Sequence, residues 1–333
     1  MADQILIADT GSTDRTKEIA GQYTPFVLDF PWCEDFSAAR NFLLDKVRTD
    51  YWIWLDADDV ITPENISRLC ALKDTLTPDT DIVMMKYITD FHEDQSPSFL
   101  YYRERILKTA AHFRWSGKVH EAISLRGNIL YSPIEVEHRK IKPSSPDRNL
   151  LIYQHMISAG EVLEPRHEFY YGRELFYHKL YREAIAVFLH FLNSNGAWLE
   201  NRLDACLQLS YCYHALGQDT DAINTLLYSL QLDVPRAEIC CELGSLFLLR
   251  TSYRQAAYWY QQALNAPCDI QNGGFYFPDC HDFLPLLQLC VCYDRLGEYE
   301  KAISCLNRAG KLHPDHPCVL KNRAYFLRNK HRT

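Results

Sequence analysis

The chain reads as an α/β domain followed by an all-α domain of helix-pair repeats, and three observations carry that reading. The run YWIWL at 51–55 is continuously apolar and aromatic and stops at Asp56, as a strand buried on both faces of a parallel sheet does. Short apolar runs alternate with amphipathic stretches only over about the first 140 residues, the strand–helix alternation of a layered α/β domain. Beyond residue 166 four segments, YREAIAVF, DTDAINTL, YRQAAYWY and YEKAISCL, repeat one helical pattern around a small residue. At 333 residues the chain has room for about two domains, each with its own core.

In chain order, QILIA at 4–8 is a short apolar strand ending at Asp9, followed by TGSTDRTKEIA. Asp14 or Thr13 is expected to cap a helix reaching about Gln22, which places Thr10, Gly11 and Ser12 near a helix N-terminus, suited to polar or anionic groups. Residues 26–30 form the next strand, and FSAARNFLLDKV at 36–47 an amphipathic helix with Phe36, Ala39, Phe42, Leu43 and Val47 on one face. Arg40 and Asn41, in its first turns, are candidates to meet a phosphate or a base. The organising strand at 51–55 then ends in Asp56, Asp58 and Asp59. With the two-residue period of extended backbone, Asp56 and Asp58 point to one side. Such a cluster repels itself unless a cation or protons neutralise it, and hard divalent ions take carboxylate oxygens. Ligands of open α/β sheets sit beyond the carboxyl ends of strands, where these aspartates lie. Thr62 and Pro63 supply the N-cap and first position of a helix over 63–73.

Strands are expected over 81–91 and 101–108, and strands with turns over 112–125, where His120 and Glu121 are adjacent. His138 follows the strand-like run IEVE and is a candidate metal ligand. KPSSPD at 142–147 breaks regular structure, and Ser145 and Pro146 open a helix that ends near Gly160. The domains are therefore 1–142, a linker helix over 143–165, and 166–333. In the last of these, Ala184, Ala222, Ala256 and Ala302 are spaced by 38, 34 and 46 residues, the middle value being the tetratricopeptide period. The longest gap holds an insertion at 266–279, expected as a loop on one face. The aromatic stripes at 169–171 and 258–260 are expected to pack within the repeats.

Composition excludes some classes. A net charge of −8 argues against nucleic acid as the main partner, and no apolar run reaches the length of a membrane span. The N-terminus has no secretory pattern, so the expected location is the cytoplasm. Twelve cysteines, scattered and without a paired CxxC signature, are expected as reduced and mostly buried thiols.

Together, ILIADTGSTDRTKEIA, DFSAARNFLLDKV, YWIWLDADD and RWSGKVHEAI resemble the nucleotide-sugar domain of family 2 glycosyltransferases with the GT-A fold. The resemblance covers about the first 140 residues. It is nearest to the bacterial subgroup with a tetratricopeptide tail, which includes the S-glycosyltransferases that modify cysteines of antimicrobial peptides. It implies a metal-dependent, inverting hexosyl transfer from a UDP-sugar to a peptide, protein or other acceptor. By that resemblance Asp9 and Ser12 lie at the uracil or ribose end, Arg40, Asn41 and Asp56 along the nucleotide. Asp56 and Asp58 hold Mg²⁺ or Mn²⁺ with His138 completing the site. Glu121 is the expected general base, with Asp59 as its rival. The repeats would bind a peptide acceptor or a second subunit. In such domains a further strand precedes the ILIAD strand and lies beside it, so a shortened domain with an open sheet edge is expected here. Two other readings stand beside this one: a repeat scaffold whose front domain is not catalytic, and a phosphohydrolase with a nucleophilic aspartate. The second is weakened because two strand-like runs precede the aspartates.

Overall fold

The computed structural model describes residues 2–140 and 147–328. Two compact units are present: residues 2–90, 101–140 and 147–174 form one, and Phe91–Leu100 with residues 175–328 the other. The expected break at 142–147 lies almost wholly outside the described residues, as do Ser145 and Pro146.

In the first unit, β1 (Ile7–Asp9) leads into α1 (Thr16–Gly21), β2 (Val27–Asp29) and α2 (Phe36–Leu44). β1 and β2 pair in parallel, Asp9 opposite Asp29, as a two-stranded sheet of their own. The helix after β1 is shorter than expected. Arg15 occupies its N-cap position without a side-chain bond, because Asp14 accepts instead from the amide and hydroxyl of Thr16. α2 is properly capped: Asp35 accepts from the Ala38 amide at 2.8 Å.

β3 (Tyr51–Ile53), β4 (Asp59–Val60), α3 (Pro63–Thr75), β5 (Ile82–Phe91), β6 (Pro97–Lys108), β7 (Trp115–Ser116), β8 (Ala122–Ile123) and β9 (Ile129–His138) follow. Five of these strands form one sheet in the order β3-β6-β5-β9-β4, and β7 pairs with β8 apart from it. The Thr62 hydroxyl caps α3 as expected, with Pro63 at its first position.

The organising strand corrects one expectation. β3 is an edge strand and runs antiparallel to β6, with Trp52 opposite Leu107, and Leu55 beyond it is exposed. Side chains rather than neighbouring strands cover its apolar run, since Trp54 stacks edge-on against Trp115 at 4.9 Å. An apolar run records burial and says nothing of which element provides it. The sheet core is Val83, Met85, Tyr87, Ile134 and Val136 with Leu69 of α3. α4 (Arg148–Ser158) closes this unit by packing Ile152, Tyr153 and Met156 on Val119.

The second unit is helical. α5 (Pro165–Tyr177) crosses the division between the units, and α6 (Tyr181–Asn193), α7 (Leu199–Ala215), α8 (Asp219–Ser229), α9 (Ala237–Leu249), α10 (Tyr253–Asn265), α11 (Phe283–Leu296), α12 (Tyr299–Leu312) and α13 (Pro317–Arg328) succeed it. α7 packs on α8, α9 on α10, and α11 on α12. Ala184, Ala222, Ala256 and Ala302 are all fully buried, as the repeat register requires. A small residue there lets two helix backbones approach. Gly244 shows the same constraint, since a Cβ on it would lie 2.8 Å from the Tyr260 ring. Each large side chain buried in these contacts contributes about 1.5–3 kcal/mol, as for Phe188 and Phe191, which expose nothing.

The 266–279 insertion is more than a loop. Its Tyr276 exchanges two backbone hydrogen bonds with Leu100, at 3.1 and 3.0 Å, and Phe275 and Phe277 flank Phe99. The 258–260 stripe divides, with Tyr260 buried and Tyr258 exposed.

Candidate functional site

The acidic cluster is shaped by backbone pairing. After Trp54 the chain turns, with the Asp59 amide donating to the Asp56 carbonyl at 3.0 Å, and β4 then pairs antiparallel with β9 so that Asp59 faces His138. The Arg139 amide donates to the Asp58 carbonyl at 2.8 Å and fixes the turn. Cross-strand neighbours are side-chain neighbours. His138 Nδ1 therefore lies 3.5 Å from both Asp58 Oδ1 and Asp59 Oδ1.

This triangle of Asp58, Asp59 and His138 is the one group of three or more ligating side chains, among the described residues, close enough to hold a metal ion. Its donor set, one imidazole nitrogen and two carboxylate oxygens, suits Mn²⁺ or Mg²⁺. His138 Nδ1 is buried and makes no hydrogen bond, which is the condition a ligand atom awaiting a cation would show. The facing Asp59 carboxylate raises the His138 pKa against the effect of burial, and the charges of Asp58 and Asp56 add to it. The residues fit the ion.

The structure brings Asp58 and His138 together and draws Asp56 elsewhere. Arg40 Nη2 holds Asp56 Oδ1 at 2.7 Å while its Nε holds Glu121 Oε1 at 2.6 Å. The guanidinium lies over the rings of Trp54 and Trp115, at 4.8 and 4.7 Å from their centroids. Burial opposes its charge, but Asp56 and Glu121 together keep its pKa above the usual arginine range. Arg40 is thus a built clamp between two carboxylates.

Asp59, the expected rival base, is buried and fully engaged. Its side chain exposes nothing, and it accepts from Arg105 at 2.8 Å, the Tyr87 hydroxyl at 2.8 Å and the Asp56 amide at 3.0 Å. Burial raises its pKa, yet the facing His138, Arg105, the Asp56 amide and Tyr87 outweigh that and hold it at about 2. A carboxylate so placed holds the loop and faces His138, and it has no side-chain surface open to solvent. Asn41 departs from expectation in the same way. Its amide donates to the Trp115 carbonyl and accepts from the Trp115 amide, both at 3.0 Å, so its polar atoms clasp β7 to α2.

Asp9 is buried at the end of β1, and its carboxylate accepts from the amides of Gly11 at 3.2 Å and Ser12 at 3.1 Å. Bonding to Ser12 lowers its pKa in spite of the burial. It shapes the 9–12 turn, in which Ser12 is exposed.

Sequence reasoning missed Arg105. Its side chain is fully buried, stacks on Trp54 and Tyr87 at 3.9 and 4.3 Å, and leaves Nε and Nη2 without hydrogen bonds. The signal was Arg103, Glu104 and Arg105 in the middle of an otherwise apolar and aromatic strand.

The first unit is thus a mixed-sheet α/β domain with carboxylates and an imidazole at its strand ends, and the chain continues into packed helix pairs. Residues 1–125, somewhat over a third of the chain, match the glycosyl transferase family 2 model. It is 26% identical over 259 residues to the SPbeta prophage-derived glycosyltransferase SunS of Bacillus subtilis (strain 168), covering 70% of this chain and 58% of that one. The chain thus spans somewhat over half the length of that curated relative. Over 62 residues it is 40% identical to a TPR repeat-containing protein of Synechococcus elongatus, covering 19% of this chain and 15% of that one. Among solved structures, MamA superposes with a TM-score of 0.40 at 20% identity, covering 48% of this chain and 85% of that one. No described helix is long and apolar enough to cross a membrane.

Proposed function

We propose that the chain is a metal-dependent glycosyltransferase that moves a sugar from a UDP-sugar to a peptide, protein or other nucleophilic acceptor. The observation that carries this reading is the Asp58–Asp59–His138 triangle at the strand ends of a family 2 glycosyltransferase domain. Those three side chains would hold Mn²⁺ or Mg²⁺, which when bound neutralises charge on a departing diphosphate.

The chain's own residues supply the rest. Arg40, stacked between two indoles and clamped by Asp56 and Glu121, presents a guanidinium to the nucleotide side. Asp56 lies beside it, and the 9–12 turn offers the exposed Ser12 to the nucleoside. Arg105 and Tyr87 fix Asp59 so that the loop needs no reorganisation when a ligand arrives. A single displacement inverts the anomeric carbon and requires a group to take the acceptor's proton. Glu121, the base expected from the sequence, must first lose its bond to Arg40. The helix-pair repeats offer a surface for a peptide acceptor or a second copy, and the cytoplasm remains the proposed location.

The test is calorimetric titration of UDP into the full chain with Mn²⁺, with Mg²⁺ and with EDTA. Binding with either ion and its loss in EDTA is the expected result. Equal binding in EDTA removes the metal-dependent reading.

A further inference from the structure

The turn between β7 and β8 carries a titratable group that the metal triangle and the Arg40 clamp leave unused. We propose that His120 is the general base of the transfer reaction, its ring oriented by Glu174; this rests on the glycosyl-transfer reading above.

The geometry is that of an oriented imidazole. His120 Nε2 lies 2.9 Å from Glu174 Oε1, and Asn149 Nδ2 donates to the same oxygen at 3.1 Å. Glu174 is 8% exposed at its side chain and His120 is 28% exposed, so the carboxylate is buried while the ring keeps an open edge. The ring lies flat on Tyr170 at 4.2 Å and 10°, and Arg166 Nε holds the His120 carbonyl at 3.2 Å. An ionised carboxylate only accepts, so Glu174 assigns the proton to Nε2 and leaves Nδ1 with a free lone pair.

Two further observations point to a worked site. His120 has φ of 50°, the left-handed region that non-glycine residues rarely adopt, and it is held there from three sides by Glu174, Tyr170 and Arg166. Gly117, at φ 102°, leaves the same turn no room for a side chain, because a Cβ there would strike the His167 ring. His120 is also one residue from Glu121, the end of the chain of ion pairs that runs through Arg40 to Asp56. The charged and titratable groups about it are Glu174, Glu121, Arg166, His167, Tyr153 and Tyr170.

In the step itself, the acceptor's sulfur or oxygen forms a bond to the anomeric carbon. The bond from that carbon to the diphosphate oxygen breaks, and its electron pair leaves with the nucleoside diphosphate. The acceptor's proton passes to His120 Nδ1 and from its open edge to solvent. Glu121 need not leave Arg40.

The experiment uses the full chain with Mn²⁺, the UDP conjugates of glucose, galactose and N-acetylglucosamine, and either water or a cysteine-containing peptide as acceptor. Turnover is followed against pH for the parent, His120→Gln, His120→Ala and Glu174→Gln, with UDP affinity and melting temperature measured on each. We expect His120→Gln to lower kcat by about 10²- to 10⁴-fold with UDP affinity unchanged. The acid limb of the pH profile should flatten, and added imidazole should restore part of the His120→Ala activity. Glu174→Gln should lose less. A His120→Gln enzyme within threefold of the parent, with the same acid limb, overturns the assignment while leaving glycosyl transfer intact. So does a loss that follows the melting temperature and that imidazole cannot restore, since His120 would then only clasp α5 to the turn. If the parent neither binds UDP with Mn²⁺ nor turns over any donor, the glycosyl-transfer reading falls, and the base assignment with it.

Discussion

The two units bury different things. In the first, the strand ends bury charge: Arg105 and Asp59 form an ion pair with no exposed side-chain surface, and three guanidinium groups, of Arg40, Arg103 and Arg105, lie over the single Trp54 ring. In the second, the helix contacts bury alanines, aromatic rings and thiols, with Ala256, Ala302, Cys240 and Cys292 fully enclosed. Buried charge is a poor source of stability, because desolvation offsets most of the attraction, but it tolerates very little displacement. Small apolar contacts do the reverse, adding stability without specifying chemistry. The contrast separates a unit whose strand ends fix a constellation of charges from one held by small apolar helix contacts.

The largest expected effect breaks the charged side of that contrast. Arg105→Met leaves Asp59 buried without its cation, and should cost about 3–5 kcal/mol in urea unfolding while loosening the Asp56–Asp59 turn. A loss below about 1 kcal/mol would mean that the pair contributes no more than a surface one. On the apolar side, Ala256→Trp should cost about 1–3 kcal/mol by overpacking the helix contact. A neutral result there would dissolve the repeat register, and UDP binding should be unaffected in either case.

A smaller effect sharpens the boundary between structure and site within the first unit. Asn41→Ala removes two hydrogen bonds to Trp115 and should cost about 2 kcal/mol. If Asn41 instead contacted the nucleotide, the variant would keep its stability and lose UDP affinity. The smallest perturbation is chemical. Burial pushes the thiols of Cys206, Cys212, Cys240, Cys290 and Cys292 up to about 12, whereas Cys33, Cys268 and Cys318 are exposed. Thiolate is the reactive form. At pH 8 a thiol reagent should label the exposed three rapidly and the buried five only on unfolding; fast labelling of the five would mean that the repeats open readily.

Much of this was legible in the sequence, for reasons that differ between the units. The repeats were visible because stacking helices need a small residue at a fixed period, and Ala184, Ala222, Ala256 and Ala302 mark it. α3 was visible because Thr62 and Pro63 are local signals of a helix start. β3 was read as buried, correctly for Trp52 and Trp54, but its antiparallel edge position was hidden, since pairing direction leaves no mark on one strand's composition. The Asp58–Asp59–His138 triangle was half legible. Asp58 and His138 stand out by type and place, but the choice of Asp59 over Asp56 depends on the β4–β9 register and on where Arg40 reaches from another helix. Long-range pairing of that kind has no local signature. The engagement of the 266–279 insertion with Leu100 and Phe99 was hidden for the same reason.

The central claim is that Asp58, Asp59 and His138 hold the ion while Asp56 serves Arg40 and the nucleotide. Electron paramagnetic resonance of Mn²⁺ titrated into the parent, Asp56→Ala, Asp58→Ala and His138→Ala, without nucleotide and then with UDP, tests it most directly. The account predicts that Asp58→Ala and His138→Ala each weaken Mn²⁺ binding at least tenfold, while Asp56→Ala binds the free ion as the parent does and loses affinity only for UDP. Loss of the Mn²⁺ signal change in Asp56→Ala, with Asp58→Ala or His138→Ala unaffected, would contradict it.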